Sequence, residues 1–154
     1  MNRRSFLAVT ASTAAFFALA GRSAFASDPI FTGLVPGVAV AGYDTVAYFT
    51  KGMETKGDEA FKTTYMDVEW RFSSQENLDM FVANPEKYAP QYGGYCAFAA
   101  SKGYLAKGDP EAWTVYEGKL YLNFNKDVRT LWKQDIPGNI EKANANFPGL
   151  IGKS

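Results

Sequence analysis

The stretch from Phe61 to Phe72 leaves this chain the least conformational freedom. Phe61, Thr63 and Tyr65 alternate along one side, Met66-Asp67 supply a turn, and Val68, Trp70 and Phe72 alternate back. Period-two alternation on both arms is the pattern of a half-buried β-hairpin. A lone two-stranded hairpin is marginal in water, so its apolar face demands a cover. The cover follows at once. Ser73 is the expected N-cap, with Glu76 three positions on completing a capping box. Leu78, Phe81 and Val82 then recur at helical spacing, with Met80 beside them.

The rest of the chain reads as similar short pieces. Val38 to Ala41 predicts a short strand stopped by Gly42, and Asp44 is placed to cap a helical turn carrying Val46, Ala47 and Tyr48. Pro85 opens another turn at a first helical position. Residues 94–101 predict a short buried helix stopped by Gly103. Asp109-Pro110-Glu111 predicts a helical turn. A second hairpin runs from Trp113 and Val115 across Glu117-Gly118 to Leu120, Leu122 and Phe124. Asn125 caps a helix to about Gln134 with Val128, Leu131 and Trp132 facing in, and Pro137 opens a last helix with Ile140, Ala143 and Phe147 at helical spacing. Both halves run hairpin then helix, yet no residue-level repeat convinces. The expected fold class is α+β, small antiparallel β-hairpins packed with short helices.

The first 26 residues stand apart. Arg3-Arg4-Ser5-Phe6-Leu7, an uncharged run from Ala8 to Ala20, Arg22 and an Ala24-Phe25-Ala26 step make an export signal. The paired arginines point to the twin-arginine route, hence a periplasmic protein. The uncharged run falls short of the roughly 20 residues that span a bilayer, so no stable membrane span is expected after cleavage. The organisation expected is a signal over 1–26, a lead-in over 27–37, one domain over 38–147 and a tail over 148–154. Three arginines leave with the signal, which turns sixteen basic against sixteen acidic residues into thirteen against sixteen, a net charge of −3. That is no footprint for nucleic acid.

The chain has no histidine and one cysteine. This excludes Ser-His-Asp and Cys-His catalytic sets, zinc fingers and an intrachain disulfide. Cys96 is a small buried hydrophobe, a soft ligand for a copper ion with Met53, Met66 and Met80 as thioether donors, or a redox or intermolecular thiol. Asp44, Asp58, Glu59, Asp67 and Glu69 either cluster round the first hairpin as hard-cation ligands or form a solvated face. Tyr43, Tyr48, Tyr88, Tyr92 and Tyr95 either line a small-molecule pocket with Asp44 and Cys96 or serve as a hydroxyl-satisfied aromatic core.

Phe72-Ser73-Ser74 followed by Phe81-Val82-Ala83-Asn84-Pro85-Glu86-Lys87-Tyr88 resembles the YHS-domain family. Tyr92-Gly93-Gly94-Tyr95-Cys96-Ala97, with Gly42 to Phe49 upstream, is similar to an exported subgroup that carries one such domain and little else. The resemblance covers roughly residues 38–146 and implies a treble-clef-related core of a kind used in metal handling. Metal-associated members place cysteines in an opening segment and at the strand end before the helix. Here those places read Gly42 to Ala47 and Trp70-Arg71-Phe72-Ser73, without a thiol, and the family's histidine is also missing. The usual metal chemistry therefore does not carry across, and Cys96 belongs to the subgroup motif instead.

Three functions follow as expectations. The first is a periplasmic binding or accessory protein for a metal ion, copper first, or a small ligand, with Tyr43, Asp44, Tyr48, Tyr92, Tyr95 and Cys96 as contacts. The second is a structural or interaction module that docks a protein partner, with Cys96 in its core. The third is an enzyme using Asp44 or Glu69 with a tyrosine, although no pair has diagnostic spacing.

Overall fold

The computed structural model describes residues 27–152, so the expected export signal lies outside it. In chain order the elements are α1 (Thr45–Thr50), β1 (Asp58–Tyr65), β2 (Val68–Phe72), α2 (Gln75–Ala83), α3 (Pro85–Tyr88), α4 (Ala97–Ser101), β3 (Asp109–Tyr116), β4 (Lys119–Asn123), α5 (Lys126–Lys133) and α6 (Ile136–Leu150). β1 pairs with β2 and β3 with β4, both antiparallel, as two separate two-stranded sheets. Together these make the α+β architecture of hairpins and short helices.

Both hairpins turn through left-handed residues, Met66-Asp67 at φ 54° and 63° and Glu117-Gly118 at φ 50° and 78°. A turn of that hand matches the right-handed twist of the flanking strands. The first hairpin buries Trp70 and Phe72 against Phe81 of α2, with ring centroids 5.1 and 4.9 Å apart. Tilted aromatic pairs at this spacing add attraction beyond the area they remove from water.

The backbone repeats itself. A short 3-10 turn at Ala39–Gly42 precedes α1, the β1–β2 hairpin and α2, and another at Gln91–Gly94 precedes α4, the β3–β4 hairpin and α5. In the turns and caps the counterparts lie 52 positions apart, as in Gly42 and Gly94, or Asp44 and Cys96. From the hairpins onward they lie 51 apart, as in Asp58 and Asp109, Tyr65 and Tyr116, or Phe81 and Trp132. The missing residue lies in the helix: α4 has five residues where α1 has six, and the loops that follow, 51–57 and 102–108, are equal in length. Even the irregularities coincide: each hairpin has its register shift at the same place, between Asp58 and Lys62 and between Asp109 and Trp113. The main-chain bonds coincide too. Asp44 N donates to Thr55 O at 2.8 Å, and Cys96 N to Ala106 O at 2.9 Å. Gly57 and Gly108 are counterparts that pass so close to neighbouring main chain, at Arg71 and at Gly94, that a Cβ would collide. The sequence offered no convincing repeat because few side chains survive in both units while the backbone path does.

The units share one body. Leu120 and Leu122 of β4 join the core built on Trp70, Phe72 and Phe81, and Tyr48 donates to Pro110 O at 2.6 Å. A second core gathers Tyr92, Tyr95, Tyr121, Trp132 and Ala143, closed by Phe147 of α6.

Several local expectations need correction. Val38–Ala41 is not a strand: Val40 and Ala41 sit at φ 51° and 52° in the 3-10 turn, and Val38 makes only isolated bridges. The cap of α2 is Ser74, which accepts from Asn77 N, because Ser73 is drawn off to Asp44. Val82 and Leu131 lie exposed, while Phe81 and Trp132 carry their helices' burial. Asp109-Pro110-Glu111 is the bulged start of β3; the Asp109 carboxylate accepts from Glu111 N, as Asp58 does from Ala60 N in the first unit. The lead-in also contributes to the core, since Ile30 is buried and Phe31 N donates to Gly93 O. The last helix runs through Pro148 to Leu150.

Candidate functional site

The two units use the same place in different ways, and the difference creates the candidate site. In the first unit the place is filled. Asp44 precedes α1 and is fully buried. Its Oδ1 accepts from Val46 N at 2.9 Å and Ala47 N at 3.1 Å. Its Oδ2 accepts from Ser73 N at 2.8 Å, Ser73 Oγ at 2.6 Å and Asn77 Nδ2 at 2.8 Å. Five donors use up the acceptor capacity of a carboxylate. The buried carboxyl group is thereby satisfied within the protein, and it ties the cap of α1 to the end of β2 and the start of α2.

In the second unit Cys96 takes the place of Asp44. Its Sγ accepts from Ala99 N at 3.4 Å and from Phe124 N at 3.2 Å, and Phe124 is the counterpart of Ser73. One sulfur cannot do the work of two oxygens, and Asn123 supplies the second acceptor. Asn123 Oδ1 receives Phe98 N at 2.9 Å and the Cys96 thiol at 3.5 Å, while its Nδ2 is buried without a partner. Burial pushes the Cys96 thiol up from its ordinary value, against the main-chain donors that would lower it. The sulfur is a thiol, with little thiolate character.

The counterpart of Asn77 is Val128, which sends no polar group toward the sulfur. What remains is a cavity of about 240 Å³ lined by Cys96, Phe98, Ala99, Tyr104, Ala106, Phe124 and Val128. Tyr104 and Phe124 are exposed large aromatics at this cavity, and the other residues make apolar walls. A dry apolar cavity of about 150 Å³ already accepts benzene, so this one has room for a one- or two-ring molecule.

The other sequence candidates lie elsewhere and are engaged with the protein itself. Tyr48 is bonded to Pro110 O, and burial, then nearby Glu54, raises its phenol. Tyr43 is raised by burial and then by Glu111, Asp109 and Glu54. Tyr92 donates to Asn144 Oδ1 at 2.9 Å and Tyr95 to Asp28 O at 2.8 Å, and both rings lie against Phe147. Tyr43 and Tyr48 thus belong to the first core and Tyr92 and Tyr95 to the second; of the six candidates only Cys96 borders the cavity. Glu69 is held below the usual carboxylate range by Arg71, 2.6 Å away. Sequence reading missed Phe98, Tyr104, Phe124 and Val128. Their signal was comparative: an aromatic and a valine where the other unit has Ser73 and Asn77.

Comparison with known families decides the lineage of the first unit. The YHS domain model matches residues 46–92, from α1 through the end of α3 and into the second 3-10 turn. The chain carries a YHS domain. No curated protein and no solved structure matches the chain.

The YHS domain is associated with metal binding, copper in particular, which makes the donor set the test. Soft ions are held by converging sulfur donors. Here the only thiol is engaged by two main-chain N–H groups and Asn123, and no methionine lines its cavity. Met53 and Met66 are exposed, and Met80 packs on the first core. Among the described residues no three cysteine, aspartate or glutamate side chains gather where they could share an ion. Asp44, in the opening segment of the YHS unit, has its lone pairs occupied. The residues present do not fit a resident metal. Among the described residues no helix is long and apolar enough to cross a membrane.

Proposed function

We propose that this protein is an exported, non-catalytic binding module that takes a small apolar ligand in the Cys96 cavity. The observation that carries this reading is the contrast between the two units. The same backbone that packs Asp44, Ser73 and Asn77 into a closed polar network holds Cys96, Phe124 and Val128 around open apolar space. Small-molecule sites are concave and mostly apolar, with few polar groups to orient the ligand. With the Cys96 thiol engaged by the protein, Tyr104 carries the polar group available to a ligand here. The signal-like residues 1–26 support a periplasmic setting by the twin-arginine route, in which the folded domain leaves the cytoplasm with its ligand site already formed.

The test is an NMR titration of the mature protein with 2-naphthylmethanol, followed through backbone amides. Saturable shifts confined to Cys96–Ala99, Tyr104, Phe124 and Val128 are expected. Shifts that never saturate, or that centre on another part of the fold, would refute the reading.

A further inference from the structure

We infer that the Cys96 cavity selects a flat apolar molecule bearing one anionic group, an aromatic carboxylate being the simplest. This inference rests on the cavity being a ligand site and adds the ligand's charge. Two lysines carry it. Lys102 Nζ lies 5.0 Å from the ring centre of Phe98, and Lys107 Nζ lies 4.7 Å from that of Phe124, both rings being walls of the cavity. Among the described residues neither ammonium has a carboxylate within ion-pair distance; the ion pairs found join Lys62 and Arg71 to Glu59 and Glu69 on the other hairpin. A lysine over an aromatic face gains a modest electrostatic attraction and keeps its charge available. The cavity is thus flanked by two positive charges without acidic partners, on a protein whose mature charge is negative.

The wall chemistry fixes the rest of the ligand. Phe98, Tyr104 and Phe124 present ring surfaces, which favour a flat π-system in offset or edge contact over a branched aliphatic body. Cys96 and Ala99 at the buried side offer no cation, so a charge is accommodated only toward the lysines. The ligand enters ring first and leaves its anionic end between Lys102 and Lys107. Lys102 is exposed and Lys107 half-buried, so salt screens these contacts, and the selectivity is modest and falls as ionic strength rises.

The experiment compares 2-naphthoate, 2-naphthylmethanol and 2-naphthylmethylammonium as ligands of the mature protein at low salt, by NMR titration of the same amides. Naphthoate is expected to bind roughly tenfold more tightly than the alcohol, and the ammonium compound more weakly than both. In Lys102→Gln/Lys107→Gln the gap between naphthoate and alcohol is expected to shrink below about twofold, with alcohol affinity unchanged. Equal affinity for naphthoate and alcohol in the wild type, or a gap that survives the double substitution, overturns the charge preference and leaves the cavity as a neutral site. Failure of all three to bind overturns the ligand site itself and this inference with it.

Discussion

Ser73 Oγ donates a 2.6 Å hydrogen bond to Oδ2 of Asp44, 29 residues earlier in the chain. That contact joins the opening segment and the strand end, the two places where metal-associated relatives of the YHS type are expected to carry thiolates. A carboxylate–hydroxyl bridge joins the two segments here. The bridge needs no cofactor, and it makes Asp44 the structural keystone of the first unit.

Asp44→Ala should therefore destabilise the fold by about 3–5 kcal/mol, since it strands buried N–H donors at Val46, Ala47 and Asn77. Ser73→Ala removes one charge-assisted bond and leaves Ser73 N in place, so a loss of about 1–2 kcal/mol is expected. Urea denaturation of both variants checks the order. Equal, small losses would show that the network contributes little.

Cys96 should be chemically quiet. The residue is 1% exposed and its thiol pKa is raised by burial, so modification by iodoacetamide at neutral pH should be slow in the native protein and complete in denaturant. Rapid native alkylation would mean that the cavity opens far more than the structure shows.

Alkaline pH should weaken the fold. Burial holds the folded Cys96 thiol above its ordinary value, so the native state holds its proton longer than the unfolded chain. The associated stability is complete below about pH 9 and declines as pH rises through the folded value. The buried phenols of Tyr48 and Tyr92, also raised by burial, act in the same direction from about pH 10 upward. Thermal melts between pH 7 and 11 should show the decline, and Cys96→Ser should flatten its first part. A melting temperature unchanged to pH 11 would contradict this.

Copper should find no site. Cu(I) added to the mature protein in competition with a chromophoric chelator should leave the chelator loaded and the melting temperature unmoved, because Cys96 has no second soft donor beside it. Stoichiometric uptake that disappears in Cys96→Ser would sink that expectation.

The hairpins, the Asp44 and Asn125 caps and the burial of Phe81 and Trp132 were legible because each follows a local rule of alternation, capping or helical spacing. The cap of α2 was misplaced by one residue because Ser73 and Ser74 are chemically equivalent in sequence, and only Asp44 distinguishes them. Val38–Ala41 looked like a strand because β-branched residues favour strands, but the turn before α1 imposes left-handed geometry on Val40 and Ala41. The repeat stayed hidden because its buried positions changed identity, Phe72 becoming Asn123 and Asp44 becoming Cys96, and because the helix between them is one residue shorter in the second unit. The cavity was illegible for the same reason: it is visible only when Val128 and Phe124 are set against Asn77 and Ser73.

The most direct measurement rebuilds the first unit's network in the second. Cys96→Asp/Phe124→Ser/Val128→Asn places the three side chains of the closed site into the open one. NMR titration with 2-naphthylmethanol should give saturable binding in the wild type. It should give none in the triple variant, whose amide spectrum should stay dispersed as in a folded protein. A folded triple variant that binds the alcohol as tightly as the wild type would contradict the account.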